Sequence, residues 1–200
     1  MSTSEAKAPA SDMVLSPTAP DPKKSIRGWE ITLVAALTLA LYLPKLGSYN
    51  LWDPWETHYG EVARRMLLDR DLVRTRWQNE EFRSKPVLTF WLMAAGMKLF
   101  GVAADGGTSG ELVASHRPEW ALRLPFALFG VGGVVVLWFL LARLHSRRAA
   151  WIAALVCATS PYYFLIARQA ITDMPSCALL LASMALFALA ADDRADAPLT

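Results

Sequence analysis

Long hydrophobic runs alternate with polar segments along this chain, and their lengths are typical of membrane-spanning helices. The four longest cover residues 29–46, 122–144, 149–166 and 174–190. Each is close to the roughly 20 apolar residues that a helix needs to cross a hydrocarbon core. Only His-Ser-Arg-Arg at 145–148 separates the second run from the third, so these two helices should form an antiparallel hairpin. The pattern predicts an all-α integral membrane protein with about four transmembrane helices.

A fifth apolar run covers residues 87–100 but is only 14 residues long and contains Lys98. That length favours an interfacial or buried helix over a membrane crossing. If the run did cross the membrane, the second long helix would have to run in the opposite direction and residues 145–148 would lie outside. We take the non-spanning interpretation.

Basic residues indicate which side of the membrane each segment occupies. Short segments rich in Lys and Arg tend to stay in the cytoplasm, and one precedes the first run while another separates the second from the third. Residues 47–121 are too long a segment for this bias to apply. We therefore expect a cytoplasmic N-terminus, with the loop 47–121 and the turn 167–173 on the outer face. The basic residues that set this orientation are Lys23, Lys24, Arg27, Arg143, Arg147 and Arg148.

The two ends of the chain differ from the apolar middle. Residues 1–28 are rich in Ser, Ala, Pro, Asp and Lys and have no periodic apolar face, so they predict a disordered cytoplasmic tail. Residues 29–190 form the predicted membrane domain, and 191–200 form a cytoplasmic tail or a linker to a missing part. Apolar residues make up 54% of the chain and the net charge is only +2, which argues for contact with membrane lipids and against nucleic acid as a partner.

The outer loop contains an amphipathic pattern that predicts a juxtamembrane helix. Apolar residues recur there at the i, i+3, i+4, i+7 and i+8 spacing of one helix face. Glu61 and Arg65 fall opposite that face at the spacing of a solvated ion pair. The apolar face consists of Tyr59, Val62, Ala63, Met66 and Leu67.

Two interpretations are open for the acids at the start of this helix. Asp53, Pro54 and Glu56 are spaced as a capping box, with Asp53 as the N-cap and Glu56 reaching back. At about 100° per residue, however, Glu56 lies about 60° from Tyr59, inside the apolar sector. An acid on a packed face requires a partner, so Glu56 and Asp53 are also candidate site residues.

Two further positions carry charge at a predicted membrane edge. Lys85 directly precedes Pro86 and the short apolar run, where a cation opposes the helix dipole. It either extends to the head groups or binds a lipid phosphate. Asp173 directly precedes the fourth run, shortly after Arg168. It either caps that helix or acts at a site on the same side as Asp53.

Four blocks of sequence resemble the amino-terminal part of integral-membrane glycosyltransferases of the GT-C fold, namely the lipid A aminoarabinose transferases and the related protein O-mannosyltransferases. The order and spacing of the blocks are similar to the family over about residues 29–190. The blocks are WDPWETHYGEVARRM at 52–66, WQNEEFRSKPVLTFWLMAAGMKLFG at 77–101, RLPFALFG at 123–130 and ARQAITDMPSCALL at 167–180.

The resemblance implies roles for individual residues. Trp55 stands where the family has the Asp of an Asp-Glu pair, and Asp53 is the nearest Asp. Ser84 replaces the Glu of the family's Glu-Lys-Pro-Pro-Leu motif, which weakens any metal site; a divalent metal stays open as a cofactor. The implied catalytic residues are Asp53, Glu56 and Asp173, and the implied donor-phosphate ligands are Lys85, His58 and Arg168, with Tyr59 and Glu61 matching a Tyr-x-Glu motif.

The implied activity is transfer of a sugar from a polyprenyl-phosphate donor to a lipid A-like or protein acceptor, on the periplasmic or extracellular face of a bacterial inner membrane. The alternative is a non-enzymatic four-span scaffold or binding subunit, in which Asp53 and Glu56 are only helix caps remote from Asp173. A transporter is a third class. It would need charged or helix-breaking groups near mid-span, and the runs contain only Gly130, Gly132, Gly133 and the Ser160-Pro161 break. Convergence of Lys85, Asp173 and the acids near residue 55 would favour the transferase.

Overall fold

The computed structural model describes residues 26–78, 80–102 and 118–195. Predictions for residues 1–25, 103–117 and 196–200 lie outside the described residues. The described elements are α1 (Gly28–Tyr42), α2 (Trp55–Leu68), β1 (Arg76–Trp77), β2 (Glu80–Glu81), α3 (Val87–Leu99), α4 (Pro118–Leu144), α5 (Arg147–Thr159), α6 (Pro161–Ala167) and α7 (Asp173–Ala195). The two short strands pair antiparallel, with Arg76 opposite Glu81 and Trp77 opposite Glu80.

Within the described residues, two helices are long and apolar enough to cross a membrane: α4, and α7 over Asp173–Asp192. The pair α5 and α6 meets the same criterion only when the two are taken together. The predicted total of four spans therefore stays a prediction. Helix α1 has only 15 residues and ends before the predicted boundary at Leu46, because Pro44 has no N–H with which to continue the helical hydrogen bonds.

The third predicted span, 149–166, is not one straight helix. The chain bends by 66° between α5 and α6. Ser160 lies at the junction with an extended ψ of 125°, and Pro161 opens α6. A proline disfavours helical conformation in the residue before it and cannot donate to the preceding turn. The bend is therefore encoded by the Ser-Pro pair.

Helix α4 is the centre of the structure and packs against α1, α3, α5 and α7. One apolar cluster joins its first turns to α2 and α3, and includes Phe90 and Phe126. The other joins its second half to α1, α5, α6 and α7, and includes Trp138 and Met174. The first cluster lies beside the ends of α1 and α6. At this end of the bundle, which we call the layered end, α2 and α3 form an additional layer.

Helix α2 buries the face that its sequence pattern predicts. Tyr59, Val62, Ala63 and Met66 are each at most 3% exposed, and Leu67 packs at the edge of the same cluster. The predicted ion pair also forms, with Arg65 Nε 3.1 Å from a Glu61 carboxylate oxygen. Arg64 binds the same carboxylate through two hydrogen bonds of 2.6 Å. Both predictions for this helix are confirmed.

Helix α3 packs on α2 and on the first turns of α4. Its 13 residues extend over about 20 Å at 1.5 Å per residue, which is short of a hydrocarbon core of about 30 Å. At Gly96 the helix approaches α4 so closely that a Cβ atom would lie 1.9 Å from the carbonyl oxygen of Ala121. Helix α3 is thus one of the shorter apolar helices of the described chain, and the non-spanning interpretation of residues 87–100 stays a prediction.

The contact of α4 with α6 gives a matched test of the packing. A Cβ atom on Gly130 would lie 2.7 Å from Cβ of Ala167, whereas one on Gly132 would meet nothing within 4 Å. We expect Gly130→Ala to lower the free energy of unfolding by about 1–3 kcal/mol through overpacking. Gly132→Ala should be neutral or stabilising by up to about 1 kcal/mol, since alanine favours helix. Thermal unfolding in detergent micelles measures both, and equal effects of the two variants would contradict the packing.

Candidate active site

A buried ion pair joins α2 to α4 at the layered end of the bundle. Glu56 and Arg123 are both 0% exposed. Arg123 Nε donates to Glu56 Oε1 at 2.9 Å, and Nη2 donates to Oε2 at 2.6 Å. This two-bond geometry is the strongest arrangement available to an arginine and a carboxylate.

The remaining hydrogen-bonding capacity of the pair is also used. Glu56 accepts the backbone N–H of Trp52 and of Ala170, each at 2.8 Å. All five N–H groups of Arg123 have an acceptor, because the three not bound to Glu56 donate to backbone carbonyl oxygens, and its guanidinium lies 3.9 Å from the centre of the Tyr49 ring. The pair therefore fixes the α1–α2 connection, α2, α4 and the α6–α7 turn together. The carbonyl acceptors belong to Leu46, Tyr49 and Asn50.

The predicted capping box at the start of α2 is wrong. The helix begins at Trp55, with Pro54 rather than Asp53 in the N-cap position and no side-chain cap. Glu56 does reach backwards, but to the N–H of Trp52, because Arg123 holds its carboxylate on the buried side. Asp53 is exposed and accepts a hydrogen bond of 2.7 Å from the hydroxyl of Thr57.

A cavity of ≈ 280 Å³ lies beside this ion pair and contains two of the predicted site residues. We call it the Lys85 cavity. Lys85 Nζ lies 5.9 Å from the centre of the Trp55 ring and 5.9 Å from that of Tyr59. Lys85 and Asp173, which are far apart in the sequence, thus line the same cavity. The lining residues are Trp55, Tyr59, Lys85, Ile171, Thr172 and Asp173.

A second cavity of ≈ 260 Å³ adjoins the first, and we call it the Trp52 cavity. Trp55, Ile171 and Asp173 line both cavities. Asp173 is therefore the carboxylate common to both. The lining residues of the second cavity are Trp52, Trp55, Glu56, Tyr162, Ile166, Gln169, Ile171 and Asp173.

Three predicted site residues line neither cavity: Asp53, His58 and Arg168. The His58 ring stacks on Trp77 at 3.7 Å, and its Nε2 atom is buried without a hydrogen-bond partner. Arg168 Nη1 donates to the carbonyl oxygens of Tyr42 and Pro44, each at 2.8 Å. Arg168 therefore ties α6 to the end of α1.

Sequence reasoning missed Arg123 and undervalued Trp55. Arg123 was counted within an apolar run, although an arginine in such a run calls for a buried acidic partner. Trp55 was noted only as a departure from a family motif. The structure makes it the wall between the two cavities.

The residues around Lys85 do not fit a divalent metal. Ser84, which stands at the family's Glu position, is exposed. Across the described parts of the chain, no three His, Cys, Asp or Glu side chains are grouped closely enough to hold an ion.

Breaking the ion pair should destabilise the protein strongly. Glu56→Gln keeps the shape of the side chain but leaves Arg123 buried without a counter-charge, which costs about 3–5 kcal/mol. Arg65→Gln is the matched control, since that exposed pair with Glu61 contributes about 0–1 kcal/mol. Chemical denaturation in micelles measures both free energies, and a loss below about 1 kcal/mol in Glu56→Gln would contradict the assignment.

The stacked histidine should make stability depend on pH. Burial lowers the pKa of the His58 imidazole. The unfolded chain, with a histidine pKa of about 6.5, therefore binds the proton more readily than the folded chain. We expect stability to fall as the pH drops from about 6.5 through the lowered pKa, and His58→Phe to flatten this dependence. Melting temperatures between about pH 5 and pH 8 test it; parallel profiles would count against it.

Known proteins are similar to this chain in sequence and in fold. The undecaprenyl phosphate-alpha-4-amino-4-deoxy-L-arabinose arabinosyl transferase of Edwardsiella ictaluri is 30% identical over 151 residues, which are 75% of this chain and 24% of that protein. Arabinosyl transferase 2 of Pseudomonas fluorescens is 36% identical over 73 residues, which are 36% of this chain and 13% of that protein. The chain thus spans about a quarter or less of the length of these relatives.

The crystal structures of ArnT from Cupriavidus metallidurans, in the apo state and bound to undecaprenyl phosphate, have a similar fold. Each superposes with a TM-score of 0.65 at 26% identity, covering 80% of this chain and 27% of ArnT. These comparisons confirm the resemblance to GT-C glycosyltransferases. Residues 84–197, more than half of the chain, match the family of dolichyl-phosphate-mannose-protein mannosyltransferases, and the chain belongs to that family.

Proposed function

We propose that this chain carries the sugar-phosphate site of a membrane glycosyltransferase that uses a polyprenyl-phosphate donor. The observation that carries the proposal is the meeting of Lys85 and Asp173 across one cavity. The cavity lies at the layered end of the bundle, beside the helices α4 and α7 that are long enough to span a membrane. A lipid-linked substrate needs a polar cavity for its head group beside helices that reach into the bilayer with its tail.

The phosphate of the donor is assigned to Lys85. Its ammonium group is the only cation among the residues that line the Lys85 cavity in the described chain. Tyr59 and Thr172 add hydroxyl groups to the same lining. A cation with neutral donors nearby binds a phosphate through charge-assisted hydrogen bonds. The related ArnT crystallised with undecaprenyl phosphate supports this substrate class.

An apolar groove gives room for the lipid tail. A space of ≈ 430 Å³ opens between α3, α4 and α7. Its first α7 residue, Ala178, follows Asp173 by about 7 Å of helix. A polyprenyl chain could therefore leave the phosphate and continue along the bundle. The groove is lined by Leu92, Pro125, Leu128, Phe129, Gly132, Val136, Ala178, Leu179 and Ala182.

The reaction is a substitution at the anomeric carbon of the donor sugar. The acceptor oxygen forms a bond to that carbon while the bond to the phosphate oxygen breaks, and the phosphate leaves with the electron pair. The Asp173 carboxylate accepts the proton of the acceptor hydroxyl, and Lys85 stabilises the charge on the departing phosphate. Glu56 acts as a positioning residue, because all its lone pairs serve Arg123 and two backbone N–H groups.

The four-span arrangement and its orientation belong to the same proposal. Glu30 lies 3.5 Å from Arg147 where α1 and α5 begin, at the end of the bundle opposite to the cavities. The basic segment at 145–148 is thus on the far side from the site. With that segment in the cytoplasm of a bacterial cell, the cavities face the periplasm or the exterior. Lipid A-like molecules and proteins are the acceptor classes of the proposal.

A non-enzymatic polyprenyl-phosphate-binding subunit is the second candidate. It is favoured by Trp55, which occupies the place of the family's Asp, and by the exposed position of Asp53 away from the cavities. This candidate shares Lys85 as the phosphate ligand but gives Asp173 no reacting role. The two candidates therefore differ in what Asp173→Asn does.

Binding and transfer can be tested with two conservative variants. We expect Lys85→Gln to weaken undecaprenyl phosphate binding about 10- to 100-fold, because a charged hydrogen bond contributes about 1.5–3 kcal/mol. Lys98→Gln is the control. Lys98 is exposed in the last turn of α3 and lines neither cavity, so this variant should bind normally. Native mass spectrometry of the full chain with undecaprenyl phosphate measures binding.

Asp173→Asn should keep the affinity for undecaprenyl phosphate and lower sugar transfer by at least about 100-fold, the usual share of a general base. Transfer is followed by mass spectrometry of undecaprenyl phosphate released from membrane donor pools. Normal binding of undecaprenyl phosphate by Lys85→Gln would contradict the assignment of Lys85 as the phosphate ligand. Unchanged transfer by Asp173→Asn would favour the binding subunit.

A further inference from the structure

The Trp52 cavity is not needed to bind the donor phosphate, yet it shares Asp173 with the Lys85 cavity. We propose that the Trp52 cavity is an acceptor subsite that binds a neutral, hydroxyl-bearing sugar. The inference rests on the proposed function, and it names the acceptor class that the function leaves open. It is carried by the aromatic walls of the cavity, by its charge and by the shared carboxylate.

The walls of the Trp52 cavity carry exposed aromatic surface. Trp52, Trp55 and Tyr162 are 59%, 54% and 72% exposed, although each also lines the cavity. Aromatic faces carry partial negative charge and attract the weakly positive C–H groups of a sugar ring. Gln169 adds an amide that can both donate and accept hydrogen bonds at the same cavity.

The charge of the lining argues against a phosphate acceptor. Asp173 and Glu56 line the Trp52 cavity, and its lining residues in the described chain include no Lys, Arg or His. Arg123 is close to Glu56, but all of its N–H groups are already bound. An anion in this cavity would face the Asp173 carboxylate without a cation among the lining residues, since the charge of Glu56 and that of Arg123 compensate each other, and this is unfavourable. A neutral hydroxyl carries no such penalty.

The shared carboxylate gives the two cavities complementary roles. A donor sugar whose phosphate binds Lys85 would extend towards Trp55, and an acceptor in the Trp52 cavity would reach the same wall from the other side. Asp173 can then accept the proton of the acceptor hydroxyl as its oxygen bonds to the anomeric carbon. A neutral sugar hydroxyl requires such a base, whereas a phosphate acceptor does not.

The test uses the purified full chain in lipid nanodiscs and saturation-transfer difference NMR. The neutral probes are methyl glucoside, methyl galactoside and methyl mannoside. The anionic probe is glucose 1-phosphate, and the peptide probe is acetyl-Ala-Ser-Ala-amide. The probes are compared in the Lys85→Gln variant, so that the Lys85 cavity does not bind the phosphate of glucose 1-phosphate, and we expect at least one methyl glycoside to bind more tightly than both other probes. Trp52→Ala and Tyr162→Ala should each weaken that binding about tenfold, which corresponds to about 1.4 kcal/mol.

Matched variants separate ligand contact from membrane anchoring and from folding. Trp29→Ala removes a similarly exposed tryptophan, 56% exposed, at the start of α1, and should leave glycoside binding unchanged. Trp52→Phe should restore most of the affinity, since the aromatic face returns. The proposal is overturned if no glycoside binds, if glucose 1-phosphate or the peptide binds better to the Lys85→Gln variant, or if Trp52→Ala and Tyr162→Ala bind as the wild type does.

The outcome is distinguishable from failure of the proposed function. Lys85→Gln should leave glycoside binding unchanged, because Lys85 does not line the Trp52 cavity. If no glycoside binds while undecaprenyl phosphate still binds in a Lys85-dependent way, only the acceptor subsite is rejected. If glycoside binding depends on Trp52 but undecaprenyl phosphate binding is unchanged in Lys85→Gln, only the donor assignment is rejected.

Discussion

The buried pair of Glu56 and Arg123 is the interaction on which the rest of the site depends. Two charges removed from water lose much hydration energy, and the loss is recovered only if every remaining donor and acceptor is satisfied. Here the α1–α2 connection offers three carbonyl oxygens and one N–H, and the α6–α7 turn offers another N–H. The backbone near Trp55 and the backbone near Asp173 are therefore fixed relative to each other.

This constraint explains how a site forms from distant pieces of sequence. Lys85 comes from the start of α3, Asp173 from the start of α7 and Trp55 from the start of α2. Trp55 and Asp173 are the first residues of their helices and Lys85 lies two residues before α3, so all three side chains project from a helix start. A tryptophan in place of the family's Asp leaves Asp173 as the carboxylate that both cavities share. The candidate site is thereby organised around Lys85, Asp173 and aromatic walls.

The sequence predicted the elements whose signals are local. The buried face of α2 and the pair of Glu61 with Arg65 follow from helical periodicity alone, and the Ser160-Pro161 break is a property of the proline. Periodicity also placed Glu56 among apolar side chains, which correctly indicated that it needs a partner. It could not identify Arg123 as that partner, because the choice depends on how α4 packs against α2.

The orientation of His58 and Arg168 was also beyond local reasoning. Both were assigned to the donor phosphate by resemblance, but His58 stacks on Trp77 of the short hairpin and Arg168 binds the carbonyl oxygens that follow α1. The positions of these partner segments relative to His58 and Arg168 could not be predicted from the sequence. By contrast, Lys85 and Asp173 lie at helix starts on one side of the predicted membrane, so only their separation was left to the structure.

A double-mutant cycle on Glu56→Gln and Arg123→Gln, with unfolding free energy and undecaprenyl phosphate affinity as readouts, tests the central claim most directly. If the pair organises the site, both single variants lose affinity although neither side chain lines the Lys85 cavity. The double variant should then be little worse than either single one, with a coupling of about 2 kcal/mol or more. Additive losses of stability with unchanged affinity would contradict the account.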